Sequence, residues 1–383
     1  MSIIPSSFPM PVSGSRFRVH YQVLGDEKTA RARAEDICIE QTIEYPADLV
    51  PKGGIREHVF GRIESFDEMG IDRYEAVISY ADEISGYEFP QLVNVVFGNI
   101  SMKPGIRVIE IELSDDLLTH FKGPRFGISG LRKLLNVPER PLIFTATKPL
   151  GLSAKQLADM AYKLALGGLD IIKDDHGIAN QSFAPFKERV ERCVEAVAKA
   201  NAETGFKTLY APNVTGPAES ILERIHFAKE AGADALMLLP GYCGLDFVRR
   251  VADDDSINLP MVVHPAFMGS YVLSPDFGVD HFVLHGQLMR LAGADISVMP
   301  NYIGRFSYSE DDCARITQGC ATPMGQMKAI FPGPGGGISP ESFADMLTVY
   351  GKDVAYLISG NLHRQSPDLT ANAASFRELV ESL

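Results

Sequence analysis

Gly168-Leu169-Asp170-Ile171-Ile172-Lys173-Asp174-Asp175-His176 is the stretch on which the fold turns. Ile171 and Ile172 have the apolar, β-branched character of a strand buried on both faces. The same strand then delivers a lysine, two carboxylates and a histidine at positions 173–176. A core has no use for that much charge, because unpaired buried charge is costly. Either a strand end dips into solvent with ordinary surface charges, or this is the catalytic end of a barrel strand. The surrounding pattern favours the second.

From about Pro141 onward, apolar runs typical of buried parallel strands alternate with helical patterns. The runs fall at 142–146, 169–173, 208–211, 235–239, 261–264, 294–299, 329–333 and 354–359. Helical patterns lie between them at 153–166, 186–203, 218–231, 279–292 and 340–350. Eight strand–helix units of this length predict a closed (β/α)8 TIM barrel of ~250 residues. An open doubly wound sheet is the competing fold, and no Gly-x-Gly-x-x-Gly follows an early strand to support it.

The first third is different. Phe17, Val19, Tyr21 and Val23 alternate with Arg16, Arg18, His20 and Gln22, the pattern of a half-buried strand. Ile37 and Ile39 are spaced for a second strand, 92–96 reads as a third, and 106–113 as a less regular fourth. These predict an N-terminal α+β domain of ferredoxin-like type over 1–124, with the barrel over 125–383 after the chain break at Gly123-Pro124.

Composition narrows the function. Of 383 residues, 45% are hydrophobic and 22% charged, with a formal net charge of -13. Nucleic acid and anionic membranes both call for a basic patch, so neither is an expected partner. A phosphorylated small molecule stays open, because backbone amides bind phosphate on an acidic protein. Five cysteines without a CxxC pair predict neither a disulfide framework nor a zinc site. Cys193 shares an apolar helical face with Val190, Val194 and Val197 and is expected in the core. Residues 1–13 lack the basic-then-apolar pattern of a signal peptide, and no apolar run is long enough to span a bilayer. A cytoplasmic location is expected.

Barrel enzymes keep their reactive groups at the C-terminal ends of the strands. Here those ends carry Lys148, Lys173 with Asp174-Asp175-His176, Asn213, His264, a segment leading to Arg305, Gly335-Gly336-Gly337, and Ser359-Gly360-Asn361. Lys148 and Lys173, on adjacent strands, would lower each other's pKa, and burial adds to the effect. A neutral lysine amine is a nucleophile or base, able to transfer protons or react with carbon dioxide. The glycine run is a tight turn or half of a phosphate site; its place after strand seven, with Ser359-Gly360 after strand eight, favours a monophosphate site. His264 is either a structural histidine or a substrate contact.

These residues resemble the RuBisCO large-chain superfamily. The family pattern Gly-Leu-Asp-x-x-Lys-Asp-Asp-Glu at strand two appears with His176 in place of the glutamate. The family's Lys-Pro-Lys-Leu-Gly-Leu-Ser appears as Lys148-Pro149-Leu150-Gly151-Leu152-Ser153, with the second lysine missing. Glu40 and Asn99 match the N-domain glutamate and asparagine. His264 matches the strand-five histidine, and Arg305 stands where the loop-six lysine would be. Gly336, Gly337 and Gly360 match the first phosphate site. At the second phosphate site the family's arginine is Pro265, and two family histidines fall at Met268 and Val298. One phosphoryl end is kept and the other lost, as expected of a form IV, non-carboxylating RuBisCO-like protein.

The resemblance implies a metal-stabilised enediolate, formed from a sugar or keto-sugar-acid monophosphate. It implies Lys173 carbamylated by CO2, with Asp175 and His176 completing a site for a divalent metal. Mg2+ is the family ion; Mn2+ is the alternative, since imidazole suits softer ions. Lys148, Lys173, His264 and Arg305 would be the catalytic set. Glu40, Asn99, Gly336, Gly337, Ser359 and Gly360 would bind substrate and phosphate. A homodimer sharing its active sites follows, because the family's N-domain residues reach the partner's site. Decarboxylation or carbon–carbon cleavage of a substrate like 3-oxo-isoapionate 4-phosphate is preferred. Enolase or isomerase chemistry on a methylthio-sugar phosphate of methionine salvage, or a metabolite-binding pseudoenzyme, are the alternatives.

Overall fold

The structure is a computed structural model that describes residues 12–383. Most of the segment expected to lack a signal peptide lies outside them. The strands, in chain order, are β1 (Arg16–Leu24), β2 (Arg62–Gly70), β3 (Arg73–Ala81), β4 (Ile106–Glu112), β5 (Leu142–Thr147), β6 (Ile171–Asp174), β7 (Leu209–Ala211), β8 (Leu236–Leu238), β9 (Met261–Val263), β10 (Gly278–Val279), β11 (Ile296–Pro300), β12 (Phe331–Gly335) and β13 (Ala355–Leu357). The chain divides into two compact units. One comprises Met1–Lys122, Gly269–Gln287 and Pro323–Gln326, the other Gly123–Met268, Leu288–Thr322 and Met327–Leu383.

The first unit is a mixed sheet in the order β10-β4-β1-β3-β2. Strand β1 lies antiparallel to both β3 and β4, and its Phe17, Val19, Tyr21 and Val23 are fully buried. Two expectations are corrected here. Ile37 and Ile39 lie in a helix, Glu27–Glu40, whose buried face is Ala30, Ala34, Ile37 and Cys38. That spacing is helical, and Asp26 caps its start by accepting from the Thr29 N–H at 2.8 Å. Residues 92–96 likewise belong to the helix Phe89–Phe97, which buries Phe89, Leu92, Val95 and Val96. The helix expected over 279–292 also differs. Gly278–Val279 pairs in parallel with β4, and helical structure starts only at Phe282, first as a π-helical stretch.

The second unit is the predicted (β/α)8 barrel. Its eight strands run β7-β6-β5-β13-β12-β11-β9-β8. The ring closes where Met237 N–H donates to Pro212 O at 2.9 Å and Val214 N–H to Met237 O at 3.1 Å. Alternate residues of each strand point inward. Leu142, Phe144, Ile171, Leu209, Ala211, Met237, Val262, Val298, Phe331 and Ala355 fill the interior, joined by Leu131 and Leu135 of the helix Gly127–Leu135. The intervening residues face the surrounding helices. Cys193, on the helix Phe186–Thr204, is fully buried there as expected. All five cysteines are free thiols.

Candidate active site at the barrel mouth

The alternation that fills the barrel also sorts the charged residues of the Lys173–His176 stretch. Lys173 and Asp175 follow Ile171 in inward register. Asp174 has the opposite parity. It is fully buried outside the barrel, where it accepts from Arg189 Nε at 3.1 Å, Tyr210 O–H at 2.8 Å and Asn213 N–H at 2.9 Å. Its charge is spent on a buried ion pair that locks β6 to the helix Phe186–Thr204.

Lys173 is only 1% exposed. Its register neighbours are Ala146 on β5 and Ala211 on β7, small side chains that leave room for an amine. Nζ donates to the Asp174 carbonyl at 3.1 Å. Burial first, and then the nearby Lys148 charge, push its pKa down to about 8 against the opposing pull of Asp175. With that pKa a minority of the amine is neutral at physiological pH, and the neutral form is the one that reacts with electrophiles or accepts protons.

Lys148 reaches across from the end of β5, with Nζ 3.2 Å from Asp175 Oδ1. His176 Nδ1 lies 3.6 Å from the same oxygen, and Gly177 N–H donates to Oδ2 at 3.3 Å. Burial raises the Asp175 pKa, but the charges of Lys148, Lys173 and His176 outweigh it and hold the carboxyl below its ordinary value. The His176 ring stacks on His264, with centroids 4.2 Å apart and planes at 14°. Burial and then the Lys173 charge push His264 down to about 2, so its imidazole is neutral, with Nδ1 accepting from Ala266 N–H at 3.2 Å. Burial also lowers His176, and the Arg305 charge acts on it in the same direction. Arg305 itself is exposed, its guanidinium 5.1 Å from the Phe306 ring centroid.

The glycine turns stand on adjoining strands, with Gly335 of β12 opposite Leu357 of β13. Gly336 and Gly337 have φ of +108° and +73°, and a Cβ on Gly337 would lie 2.3 Å from the Ile303 carbonyl. Asn301 Nδ2 donates to Gly336 O at 3.1 Å, and Asn361 Nδ2 to Gly337 O at 3.3 Å and Ile338 O at 2.9 Å. Two amide side chains thus hold the turn from either side. Space around Gly360 is open, with nothing within 4 Å of a Cβ built there.

Glu40 and Asn99 belong to the first unit, where they meet each other. Asn99 Nδ2 donates to Glu40 Oε1 at 3.1 Å, and Lys103 Nζ lies 3.4 Å from Glu40 Oε2 and 2.5 Å from Asp36. The described barrel residues bring together Lys148, Lys173, Asp175, His176 and His264.

Residues 127–383 match the family described as the ribulose bisphosphate carboxylase large chain, catalytic domain. The chain belongs to the RuBisCO large-chain family. It is 37% identical over 367 residues to ribulose bisphosphate carboxylase-like protein 1 of Rhodopseudomonas palustris, covering 96% of this chain and 98% of that one. It is 35% identical over 362 residues to a protein of Rhodospirillum rubrum named 5-methylthioribulose-1-phosphate isomerase, covering 94% and 95%. The crystal structure of a Rubisco-like protein from R. palustris superposes with a TM-score of 0.87 at 36% identity, over 97% of this chain and 99% of that chain. The chain is therefore a RuBisCO-like protein whose relatives include a named isomerase.

Among the described residues, no three His, Cys, Asp or Glu side chains gather as a metal site. The family's third ligand would be a carbamate, which an unmodified lysine does not offer. Asp175 and His176 put a carboxylate oxygen and an imidazole nitrogen 3.6 Å apart, beside a low-pKa lysine. Carboxylate, carbamate and imidazole together fit a first-row divalent ion such as Mn2+ better than Mg2+. No helix among the described residues is long and apolar enough to cross a membrane. His363 and Asn301 were not singled out by the sequence, although His363 follows Ser359 by one helical turn.

Proposed function

We propose that this RuBisCO-like protein is an enzyme that forms an enediolate from a sugar or keto-acid monophosphate and does not fix carbon dioxide. One observation carries this. A buried lysine with its pKa pushed down to about 8 stands beside an ion-paired carboxylate and two stacked histidines at the ends of barrel strands. The same barrel carries two glycine turns on adjoining strands, which suit one phosphoryl group.

In this account the turn at Gly336 and Gly337, with Ser359 and Gly360, holds the phosphate through backbone N–H groups. A carbamate on Lys173 would, with Asp175 and His176, hold a divalent metal. That ion, when bound, polarises the substrate carbonyl. Lys173, as its carbamate, would take the carbon-bound proton, and Lys148 would exchange protons with the enediolate oxygens as general acid and base. Neutral His264 contacts the substrate. Arg305 closes over the mouth and pairs with a substrate carboxylate. Glu40 and Asn99 complete the partner's site in a homodimer.

The Arg305 charge favours an acidic substrate, decarboxylated or cleaved at a carbon–carbon bond as 3-oxo-isoapionate 4-phosphate would be. A second reading has its own support. Met268 and Val298, each 4% exposed, and Pro265 replace the polar groups of a second phosphate site with apolar ones. An apolar wall suits a methylthio-sugar phosphate, the kind of substrate in the name of the R. rubrum relative. Incubation with each substrate, followed by phosphorus NMR in deuterated water, separates these. Enzyme chemistry predicts α-proton exchange that Lys148→Ala and Lys173→Ala each slow by about 10²-fold or more. Turnover of only the methylthio compound would replace the acidic substrate. Binding without any exchange would identify a metabolite-binding pseudoenzyme instead.

A further inference from the structure

Asn301, the residue after β11, is fully buried and holds the glycine turn with main chain and side chain alike. Its backbone N–H donates to Gly335 O at 3.0 Å, and its Nδ2 donates to Gly336 O at 3.1 Å. A carbonyl only accepts, so the amide atom facing Gly336 O is the nitrogen. The amide oxygen therefore faces the other way, where Tyr350 O–H donates to it at 2.6 Å. Tyr350 ends the helix Phe343–Tyr350 and is only 3% exposed. Burial raises its pKa, so the hydroxyl keeps the proton that it donates.

In a planar trans peptide the C=O and the following N–H point in opposite directions. Fixing Gly336 O toward Asn301 thus turns the Gly337 N–H away from it. Asn361 Nδ2 holds Gly337 O at 3.3 Å and in the same way turns the Ile338 N–H outward. Among the described residues neither N–H donates to another group. Successive unbonded N–H groups beside glycines at positive φ make a concavity suited to anions.

We infer that Tyr350 and Asn301 are positioning residues, which together fix the direction of the Gly337 N–H as a donor to the substrate's phosphoryl group. The inference rests on the phosphate role proposed for the glycine turns. It assigns that role to a particular donor and to the buried pair behind it. Without the Tyr350 hydroxyl, the Asn301 oxygen is buried with no donor, and the amide loses the contact that sets its orientation. A peptide between two glycines has the freedom to turn once it is released. The donor is then no longer preorganised, and phosphate binding weakens.

Inorganic phosphate, titrated calorimetrically into the full-length protein, tests this. Tyr350→Phe removes one hydroxyl and should weaken binding at least fivefold. Asn301→Ala removes the other member of the pair and should do the same. Tyr356→Phe is the control, because it makes the same change in a neighbouring ring whose buried hydroxyl has no hydrogen-bond partner. It should bind within twofold of wild type. Glycine-selective 15N spectra read the donor itself. Phosphate should move the Gly337 amide signal of the wild type, assigned by its loss in Gly337→Ala. Affinities of Tyr350→Phe and Asn301→Ala within twofold of wild type would overturn the role of the pair and leave the turn as the phosphate site. So would an unmoved Gly337 signal in the phosphate-bound protein, or an equal loss in Tyr356→Phe. A wild type that does not bind phosphate would overturn the reading of the turns, and this inference with it.

Discussion

Lys148 Nζ stands 3.2 Å from Asp175 Oδ1, an ion pair whose two charges both act on buried Lys173. The two partners pull the buried lysine in opposite directions. Lys148 disfavours its ammonium form and Asp175 favours it. Only the neutral amine reacts, so modification of Lys173 by a small electrophile such as cyanate should rise with pH through about 8. Lys148→Met should move that midpoint up, and Asp175→Asn should move it down. Peptide mass spectrometry at each pH reads both shifts; midpoints that stay put in both variants would mean that the pair does not govern Lys173.

Gly337 and Gly360 should answer differently to alanine. Alanine at 337 meets a φ of +73° and the Ile303 carbonyl at 2.3 Å, whereas 360 has open space. Gly337→Ala is expected to cost about 1–3 kcal/mol in strain and to weaken phosphate binding. Gly360→Ala should leave stability unchanged. Chemical denaturation of both variants is the check, and equal stabilities would contradict the geometry.

Arg189 and Asp174 are both fully buried. Arg189→Met leaves the carboxylate without its cation, and the expected loss is about 3–5 kcal/mol of folding stability. The urea midpoint reads it. A loss below about 1 kcal/mol would show that Tyr210 and the Asn213 N–H satisfy Asp174 without the arginine.

His176 sets the metal preference if it is a ligand. His176→Glu replaces nitrogen by oxygen, so competition between Mg2+ and Mn2+ should shift toward Mg2+. An unchanged preference would assign His176 to proton transfer instead.

The barrel was legible because strands buried on both faces are contiguous apolar runs, and all eight appear within a few residues of their expected places. The first unit was harder to read. Ile37 and Ile39, seen alone, mimic a strand, and only Ala30 and Ala34 reveal the helical period. Strand β2 is largely exposed and charged at Glu64, Asp67 and Glu68, so it carries little apolar signal. Strand β3 carried one in Ala76, Ile78 and Tyr80 that went unread. At the site, Lys173 and Asp175 stood out by residue type, but separating them from Asp174 required the strand register. Asn301 and Tyr350 stayed hidden because they lie 49 residues apart, and their contact exists only in three dimensions.

The most direct test is a crystal structure of the protein soaked with bicarbonate and Mg2+ or Mn2+. The account predicts a carbamate on Lys173 Nζ and a metal ion held by that group, Asp175 and His176, with Lys148 displaced from Asp175. An unmodified Lys173 without metal, and the Lys148–Asp175 pair still closed, would contradict it.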